Sequence, residues 1–336
     1  MSSLTQINLL STFLGSNPLL TQGAGGNISV KEGERLWVKA SGLWLSQAME
    51  KNIFLSLPLS PVLERVKAGI ESLSDLADSG TSLLPSIETP IHAILPQKFV
   101  VHLHMIDAII HSILPDGYTH LTKKLHGLSW IMIPYIKPGL SLSHYLSEQI
   151  SSTKTNIFLL QNHGIILTGD SHQHVISLLN EITKRLHLPV KPLIQPNIFH
   201  LAKINDSNWV IPVNTLLHML ALTPMGLKIC RGNPLYPDHV VYLGAITAEI
   251  LPNEKISITI ARFESQYHVT PKFLIAPDKG IFISPNITPG ELSMIEAIAQ
   301  VTVRVPDNIT LRQLEQKDIH ILTHWDVETK RKSLDK

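Results

Sequence analysis

The amino-acid sequence predicts a layered α/β fold in which helices cover a sheet. Apolar runs with the alternation of strands recur between segments with helical spacing, and two pairs of these runs are joined by tight turns typical of hairpins. Three prolines close together then interrupt the pattern, and proline breaks helices and central strands. We therefore expect a domain over residues 1–187, a proline-rich linker over 188–204 and a C-terminal α/β region of unknown role over 205–336.

The individual elements follow from local patterns. Helical spacing predicts helices over residues 3–15, 61–73, 89–96 and 174–187. Alternating apolar residues predict a hairpin over 26–42, a strand over 98–106 and a second hairpin over 156–170. In the C-terminal region, the same patterns predict strands over 239–246 and 272–276 and a helix over 290–302.

Composition argues against several function classes. The chain has 28 Lys and Arg against 27 Asp and Glu, so its charge gives no reason to expect nucleic acid or a membrane surface as a partner. Cys230 is the only cysteine, which predicts a reducing, cytoplasmic location. The first residues lack the features of a signal peptide, and no run reaches the ~20 apolar residues of a membrane span. The 16% of charged residues is low, which indicates that an oligomer covers part of the surface.

Two histidines in a predicted strand are the first candidate functional residues. His102 and His104 are separated by one residue, and residues i and i+2 of a strand point to the same face. Imidazole is costly to bury without a partner, and zinc accepts imidazole well. The pair therefore forms half of a tetrahedral metal site, although two hydrogen-bonded core histidines remain an equal alternative.

Three weaker features accompany this pair. His163 lies in the tight turn between two apolar strands, where Gly164 permits close approach of another backbone. Glu88 lies at the start of a short helix, where an acidic residue also complements the helix dipole. The glycine-rich residues 23–27 and the Ser41-Gly42 turn expose backbone N–H groups that can hold an anion, but ordinary turns have the same composition.

Two other histidine pairs have the sequence spacing of metal ligands, but the local structure predicted around them does not suit a metal site. His172 and His174 open a predicted helix, on which residues i and i+2 do not face each other. His320 and His324 are four residues apart, but the residues between them favour a strand and no carboxylate completes a metalloprotease motif. Neither pair is expected to bind a metal.

These motifs, in this order, resemble the class II aldolase/adducin family. The resemblance rests on five short segments: GNISV at 26–30, KASG at 39–42, SIE at 86–88, HLH at 102–104 and NHG at 162–164. The sequence is most similar to the aldolase portion of rhamnulose-1-phosphate aldolase/dehydrogenase proteins, notably in LTQGAGGNISVK and LWVKASG. The segments LYPDHVVYLG and PKFLIAPDKGIFI resemble the region C-terminal to that aldolase portion, and no glycine fingerprint of the dehydrogenase half occurs.

The resemblance implies a three-layer α/β/α fold with a central, largely antiparallel sheet. It implies Zn²⁺ or another divalent metal on three metal ligands, His102, His104 and His163. It also implies that Glu88 is the catalytic acid/base. The residues that it implies for binding the phosphate of the substrate are Asn27, Ser41, Gly42 and Ser86.

The implied reaction is the cleavage of a ketose, as its 1-phosphate, into dihydroxyacetone phosphate and an aldehyde through a metal-stabilised enediolate. The resemblance also implies a homotetramer. An epimerase or dehydratase on the same fold, or a non-catalytic binding module like adducin, are the alternatives. Ala24 and Ile87 replace hydroxyl residues of simpler fuculose-phosphate aldolases, which leaves open whether the substrate is phosphorylated. The second acid is not assigned; Tyr118 and Tyr135 are candidates by position.

Overall fold

The computed structural model describes residues 2–150 and 155–326. Within them, the chain forms two compact units. The first comprises residues 2–112 and 116–187, and the second comprises 113–115 and 188–326.

A seven-stranded sheet forms the centre of the described part of the first unit. Its strands are β1 (Asn27–Glu32), β2 (Arg35–Lys39), β3 (Phe54–Pro58), β4 (Phe99–Leu103), β5 (Trp130–Ile133), β6 (Ile157–Leu160) and β7 (Gly164–Gly169). The spatial order is β3-β2-β1-β4-β7-β6-β5. All neighbouring strands are antiparallel except β5 and β6, which are parallel. The prediction of a largely antiparallel central sheet is confirmed.

Helices cover both faces of this sheet. They are α1 (Ser3–Gly15), α2 (Leu59–Lys67), α3 (Thr89–Ile94), α4 (Ile106–Ile113), α5 (Gly117–Lys124), α6 (Leu140–Ile150) and α7 (His172–Leu186). Alternate residues of β4 serve the two layers: Phe99 and Val101 pack with α1 and α7, whereas Val100 packs with α3 and α6. Because side chains alternate along a strand, His102 points to the same side as Val100, toward α3. The three-layer arrangement is confirmed.

Two predicted elements are shorter than expected. The helix predicted over 61–73 ends at Lys67, because Gly69 adopts a left-handed φ of 74° that no helix continues through. The strand predicted over 98–106 ends at Leu103, and α4 begins at Ile106. His104 therefore lies immediately after the strand rather than within it.

The second unit contains a smaller sheet and further helices. The helices are α8 (Ile198–Ile204), α9 (Thr215–Leu222), α10 (Pro224–Arg231), α11 (Pro237–Leu243), α12 (Ile256–Tyr267), α13 (Pro289–Thr302) and α14 (Gln316–Thr323). The strands are β8 (Ala248–Glu249), β9 (Phe273–Ala276) and β10 (Gly280–Ile283). β9 lies between the other two, parallel to β8 and antiparallel to β10. This agrees with the α/β character expected of the C-terminal region.

The strand predicted over 239–246 is wrong, because α11 occupies most of this segment. The β-branched residues Val240 and Val241 favour a strand. However, Pro237 occupies the first turn of the helix, where its missing N–H is harmless, and Gly244 ends the helix with a φ of 85°. The start and stop signals prevail over the β propensity of the residues between them.

The proline-rich segment 188–204 is also partly helical. Asn197 caps α8, its side chain accepting the backbone N–H of His200, and Leu201 is fully buried. Likewise, the residues between His320 and His324 lie in α14 rather than in the strand-like conformation that they favour. No helix in residues 2–150 and 155–326 is long and apolar enough to cross a bilayer.

Candidate metal centre

Three strand ends meet at one edge of the seven-stranded sheet. β1 begins at Asn27, whose cross-strand partner on β4 is His102, the residue before the end of that strand. β7 begins at Gly164, and Ile165 is the partner of Leu103. The antiparallel pairing therefore places the start of β1, the end of β4 and the start of β7 side by side.

Gly164 allows the turn before β7 to approach β4 closely. A Cβ atom at this position would lie 2.2 Å from the carbonyl oxygen of Leu103, closer than any side chain tolerates. The turn also places Asn162 at a φ of 54°, a left-handed conformation that asparagine adopts more readily than most residues. The backbone N–H of Asn162 donates to the Ser112 hydroxyl at 3.2 Å. These contacts bring His163 to the edge at which β4 ends.

The three predicted metal ligands converge at this edge. His102, His104 and His163 are all buried, and one ring nitrogen from each lies within 4.8 Å of the others. The Nε2 atoms of His102 and His104 are 3.1 Å apart. Two nitrogens on one zinc ion at tetrahedral angles lie about 3.3 Å apart, given Zn–N bonds of about 2.0–2.1 Å. The ring spacing is therefore suited to a divalent metal.

The hydrogen bond on the far side of His102 fixes which nitrogen faces the cluster. Its Nδ1 lies 3.2 Å from the carbonyl oxygen of Ile165. A carbonyl oxygen only accepts, so Nδ1 carries the hydrogen, and Nε2 of the neutral ring presents its lone pair to the other histidines. This orientation is the one that a metal-binding imidazole requires.

Glu88, the residue immediately before α3, completes the cluster. Its Oε1 lies 3.3 Å from Nε2 of His102 and 3.5 Å from Nε2 of His163, and its side chain is only 10% exposed. A carboxylate oxygen and the His102 lone pair repel each other unless a proton or a cation lies between them. The arrangement thus requires a proton or a cation between these groups, and it places a carboxylate that can accept a proton at the same point.

Four further residues, to which the sequence motifs assigned no role, hold this cluster in place. The Gln22 side-chain amide donates to the His104 carbonyl at 3.3 Å. On the underside of α3, His92 Nδ1 lies 2.8 Å from the Ser29 hydroxyl, while Lys31 Nζ donates to the His92 carbonyl at 2.7 Å. The available signals were a polar residue at a buried position of an otherwise apolar strand, Ser29, and a lysine at a half-buried position of the same strand, Lys31.

Burial shifts the pKa values of these supporting groups. Desolvation holds the pKa of His92 well below its ordinary value, with repulsion from His102 and from Lys31 adding to the effect. Desolvation also lowers the pKa of Lys31 to about 7. His92 is therefore a neutral ring at physiological pH, and it links α3 to β1 by hydrogen bonds.

The four residues expected to bind substrate lie around the same edge. An isolated bridge between Ala40 and Pro85 brings the Ser41-Gly42 turn beside the segment that contains Ser86. Asn27 is 1% exposed, and its Nδ2 atom has no hydrogen-bond partner among the described residues. A buried amide that lacks an acceptor is costly, so this group is suited to an oxygen atom of a ligand.

Lys39 belongs to the KASG segment, but the motif assigned no role to this residue. Its side chain is 2% exposed, and Nζ donates to the carbonyl oxygens of Ala24 at 3.0 Å and Leu43 at 2.7 Å. It therefore ties the glycine-rich loop to the loop after β2, and it adds a positive charge beside Asn27 and the Ser41-Gly42 turn. A lysine in the apolar run before Ala40 was the signal for it.

The remaining candidates lie elsewhere. The Tyr118 ring stacks on Trp130 at 5.7 Å and is 64% exposed, so it faces solvent rather than the buried cluster. His174 belongs to the first turn of α7, as predicted, and its backbone N–H donates to Ser171. His324 Nδ1 lies 2.9 Å from the His320 carbonyl, and this pair is not part of a metal-ligand group in the described ranges.

Comparisons with known proteins find a family and similar structures. Residues 15–188 match the family profile of the class II aldolase and adducin N-terminal domain. An N-terminal class II aldolase domain from Thermoplasma acidophilum is similar in structure, with a TM-score of 0.50, 26% identity, and coverage of 55% of this chain and 92% of that one. A sugar-phosphate aldolase from Thermotoga maritima has a TM-score of 0.42 and 15% identity, covering 55% and 91%.

A longer relative occurs in Bacillus subtilis strain 168. It is an uncharacterized oxidoreductase, YuxG, which is 29% identical over 192 residues. The alignment covers 51% of this chain but only 28% of YuxG, so the chain spans little more than a quarter of the length of that relative. The family profile spans more than half of the chain, over most of the unit that holds the histidine cluster, and on this ground the protein belongs to the class II aldolase/adducin family.

Proposed function

We propose that the protein is a metal-dependent aldolase that cleaves a ketose, as its sugar 1-phosphate, into dihydroxyacetone phosphate and an aldehyde. The observation that carries the proposal is the convergence of three buried imidazoles with the Glu88 carboxylate. Burying four such groups together is costly, and a metal-dependent reaction accounts for that cost better than packing does.

His102, His104 and His163 are the proposed metal ligands. The 3.1 Å separation of two Nε2 atoms and the donor role of His102 Nδ1 support a divalent cation, with zinc as our choice because imidazole suits it. The metal supplies a Lewis acid that offsets the negative charge developing on the substrate oxygens during cleavage. Three neutral ligands leave its positive charge undiminished.

Glu88 is the proposed acid/base. Its Oε1 reaches the same point as the ligand nitrogens, so a substrate bound there presents its carbon to the carboxylate. In cleavage, the C3–C4 bond of the ketose would break, the C4 hydroxyl would lose its proton as the aldehyde forms, and Glu88 would deliver a proton to C3, the carbon that becomes the methylene of dihydroxyacetone phosphate. In the reverse direction it removes that proton. The Glu88 backbone N–H donates to the Ser86 hydroxyl at 3.2 Å, which helps to fix the start of α3.

Asn27, Ser41, Gly42 and Ser86 are the proposed substrate phosphate site. The Asn27 amide supplies a buried donor, and the turn supplies the Gly42 backbone N–H, since the Ser41 N–H donates to the Leu84 carbonyl at 2.9 Å. Lys39 contributes positive charge behind them.

We also propose that the active enzyme is a homotetramer. A light-scattering mass of four chains supports that assembly, and the mass of one chain contradicts it.

The experiment is an assay on a panel of ketose 1-phosphates and pentulose 5-phosphates with zinc-loaded protein, analysed for every product. Release of dihydroxyacetone phosphate and an aldehyde supports the aldolase. A change of configuration without cleavage identifies an epimerase, and loss of water identifies a dehydratase; either contradicts the proposed reaction. A zinc-loaded chain that binds a sugar phosphate but converts none of the panel supports a binding module instead.

A further inference from the structure

The second unit contains a cavity of about 610 Å³ at one edge of its sheet. The parallel strands β8 and β9 both end there, at Glu249 and Ala276. The loops after these strands, 250–255 and 277–279, form two walls, and residues of α8 and the last residue of α10 form the others. Ligands of α/β proteins commonly bind beyond the carboxyl ends of parallel strands, and sites for small molecules measure roughly 300–1,000 Å³.

Two carboxylates in these walls are already neutralised. Glu249 accepts two hydrogen bonds from Arg231, both at 2.7 Å. Glu254 accepts from the Arg262 guanidinium and from the Thr259 hydroxyl. The Arg262 hydrogen bond lowers the pKa of Glu254 to about 2. These two groups therefore add little negative potential to the cavity.

The lysines around the cavity form fewer hydrogen bonds and ion pairs than these two carboxylates. The side-chain amines of Lys203 and Lys279 form no hydrogen bond or ion pair with the part of the chain that the structure describes. Lys255 Nζ donates to the backbone carbonyl of Lys203 at 2.6 Å, which brings a third ammonium to the same wall. Asp278 is the carboxylate that opposes them. The walls thus carry an excess of positive charge.

The floor of the cavity is apolar. Ile250 follows β8 and is 6% exposed, and Ala276 is the last residue of β9 and is 4% exposed. The loops above them are closed by their own hydrogen bonds: the Leu251 N–H donates to Glu254, and the Lys279 N–H donates to the Ala276 carbonyl. The cavity therefore has fixed walls, an apolar base and a cationic rim.

We propose that this cavity is a second binding site, which takes a phosphate ester with an apolar organic part. The phosphate would lie against Lys203 and Lys279, and the organic part would cover Ile250 and Ala276. The charge excess favours an anion. The apolar side chain of Leu251, which lines the cavity beside this floor and is 47% exposed, favours an organic ester over free phosphate, because covering it removes apolar surface from water. The cavity lies wholly within the second unit, so the proposal does not depend on the aldolase reaction.

Isothermal titration calorimetry of the full chain with adenosine 5′-monophosphate and with phenyl phosphate tests the proposal. We expect at least one of these esters to saturate a single site below about 1 mM, with adenosine and inorganic phosphate each at least about tenfold weaker. The double variant Lys203→Gln/Lys279→Gln should weaken binding by at least about tenfold. Circular dichroism should show that this variant folds, because it replaces rim side chains only.

Matched variants separate this site from the candidate metal centre. Lys317→Gln, which alters a lysine of the second unit outside the cavity, should leave the affinity unchanged. His104→Ala and Asn27→Ala, in the first unit, should also leave it unchanged. Absence of saturable binding by both esters overturns the proposal. So does an affinity that the double lysine variant does not reduce, or that Asn27→Ala abolishes.

Discussion

In the first unit, three imidazoles, a carboxylate and a lysine are buried together at one edge of a sheet, whereas the second unit keeps the charges of its cavity near the surface. Lys39 and Glu88 are 2% and 8% exposed, and the Lys39 ammonium is held by backbone carbonyl oxygens. Around the cavity of the second unit, Glu249 and Glu254 are each paired with an arginine. Burying ionisable groups is expensive. The contrast between this sheet edge and the cavity of the second unit therefore supports the sheet edge as the place of the proposed reaction.

This difference between the two units also predicts where single substitutions should alter the protein. In the first unit, polar groups are packed against backbone, so small changes should alter the site. In the second unit, equivalent changes at the surface should be tolerated. Substitutions at matched positions of the two units therefore compare them directly.

Glu88→Gln should have the largest effect. Because the amide cannot hold or deliver the proton, we expect the turnover number to fall by about 10³-fold, within the usual range for a general acid/base. Metal content should be retained, because three histidines remain. The matched variant Glu315→Gln in the second unit, at an exposed carboxylate paired with Lys317, should keep full activity. An active Glu88→Gln enzyme would assign the acid/base role to another residue.

Gly164→Ala should be the most destabilising. Its Cβ would meet the Leu103 carbonyl at 2.2 Å, and backbone on both sides must move, which costs about 3 kcal/mol of unfolding free energy. Gly244→Ala, at a φ of 85° with no atom within 4 Å, should cost only about 1–2 kcal/mol from its conformation. Urea denaturation of both variants measures the difference. Equal losses would contradict the close approach of β7 to β4.

Lys39→Met should weaken substrate binding more than catalysis. Without the amine, the Ala24 and Leu43 carbonyls lose a donor, and the loops around the proposed phosphate site separate. We expect KM to rise by about fivefold or more, kcat to change little, and stability to fall by about 2 kcal/mol. Lys317→Met, at an exposed position, should change neither KM nor stability. An unchanged KM would show that Lys39 does not support this site.

A further prediction concerns the pH dependence that Lys31 gives to stability. Below about pH 7 both states bind the proton, and the folded state bears the full cost of burying the charge. Between about pH 7 and 10.5 the unfolded state still binds a proton that the folded state has lost, so stability rises with pH.

The measurement is the unfolding free energy of the natural protein minus that of Lys31→Met, taken at several pH values. This difference should increase from pH 7 upward, while contributions from other groups cancel. A difference that stays flat, or that falls with rising pH, would contradict a lowered pKa of Lys31.

Several residues of the candidate site could be singled out from the sequence because they occur in short motifs. His102 and His104 are two positions apart, and the turn at His163 has a local signature. The residues that hold them are different. Ser29 and His92 are 63 positions apart, and Gln22 contacts the carbonyl of a residue 82 positions away. No local pattern specifies such contacts, since they arise only when strands and helices pack.

The fold was predictable to a similar extent. Alternation and helical spacing predicted the two hairpins, α1, α7 and α13, because each follows a regular period. The pattern failed at α11, where β-branched residues lie between a proline and a glycine that define a helix. The cavity of the second unit was not predictable, because its lysines come from three separate segments and its floor from strand ends.

The metal content of the purified protein tests the central claim most directly. Elemental analysis after loading with zinc and removal of excess metal should find one divalent ion per chain. His104→Ala should lose it, whereas His320→Ala, which alters a histidine of α14, should retain it. A chain that holds no metal after zinc loading, or a His104→Ala variant that still binds one ion per chain with unchanged affinity, would contradict the proposed metal centre.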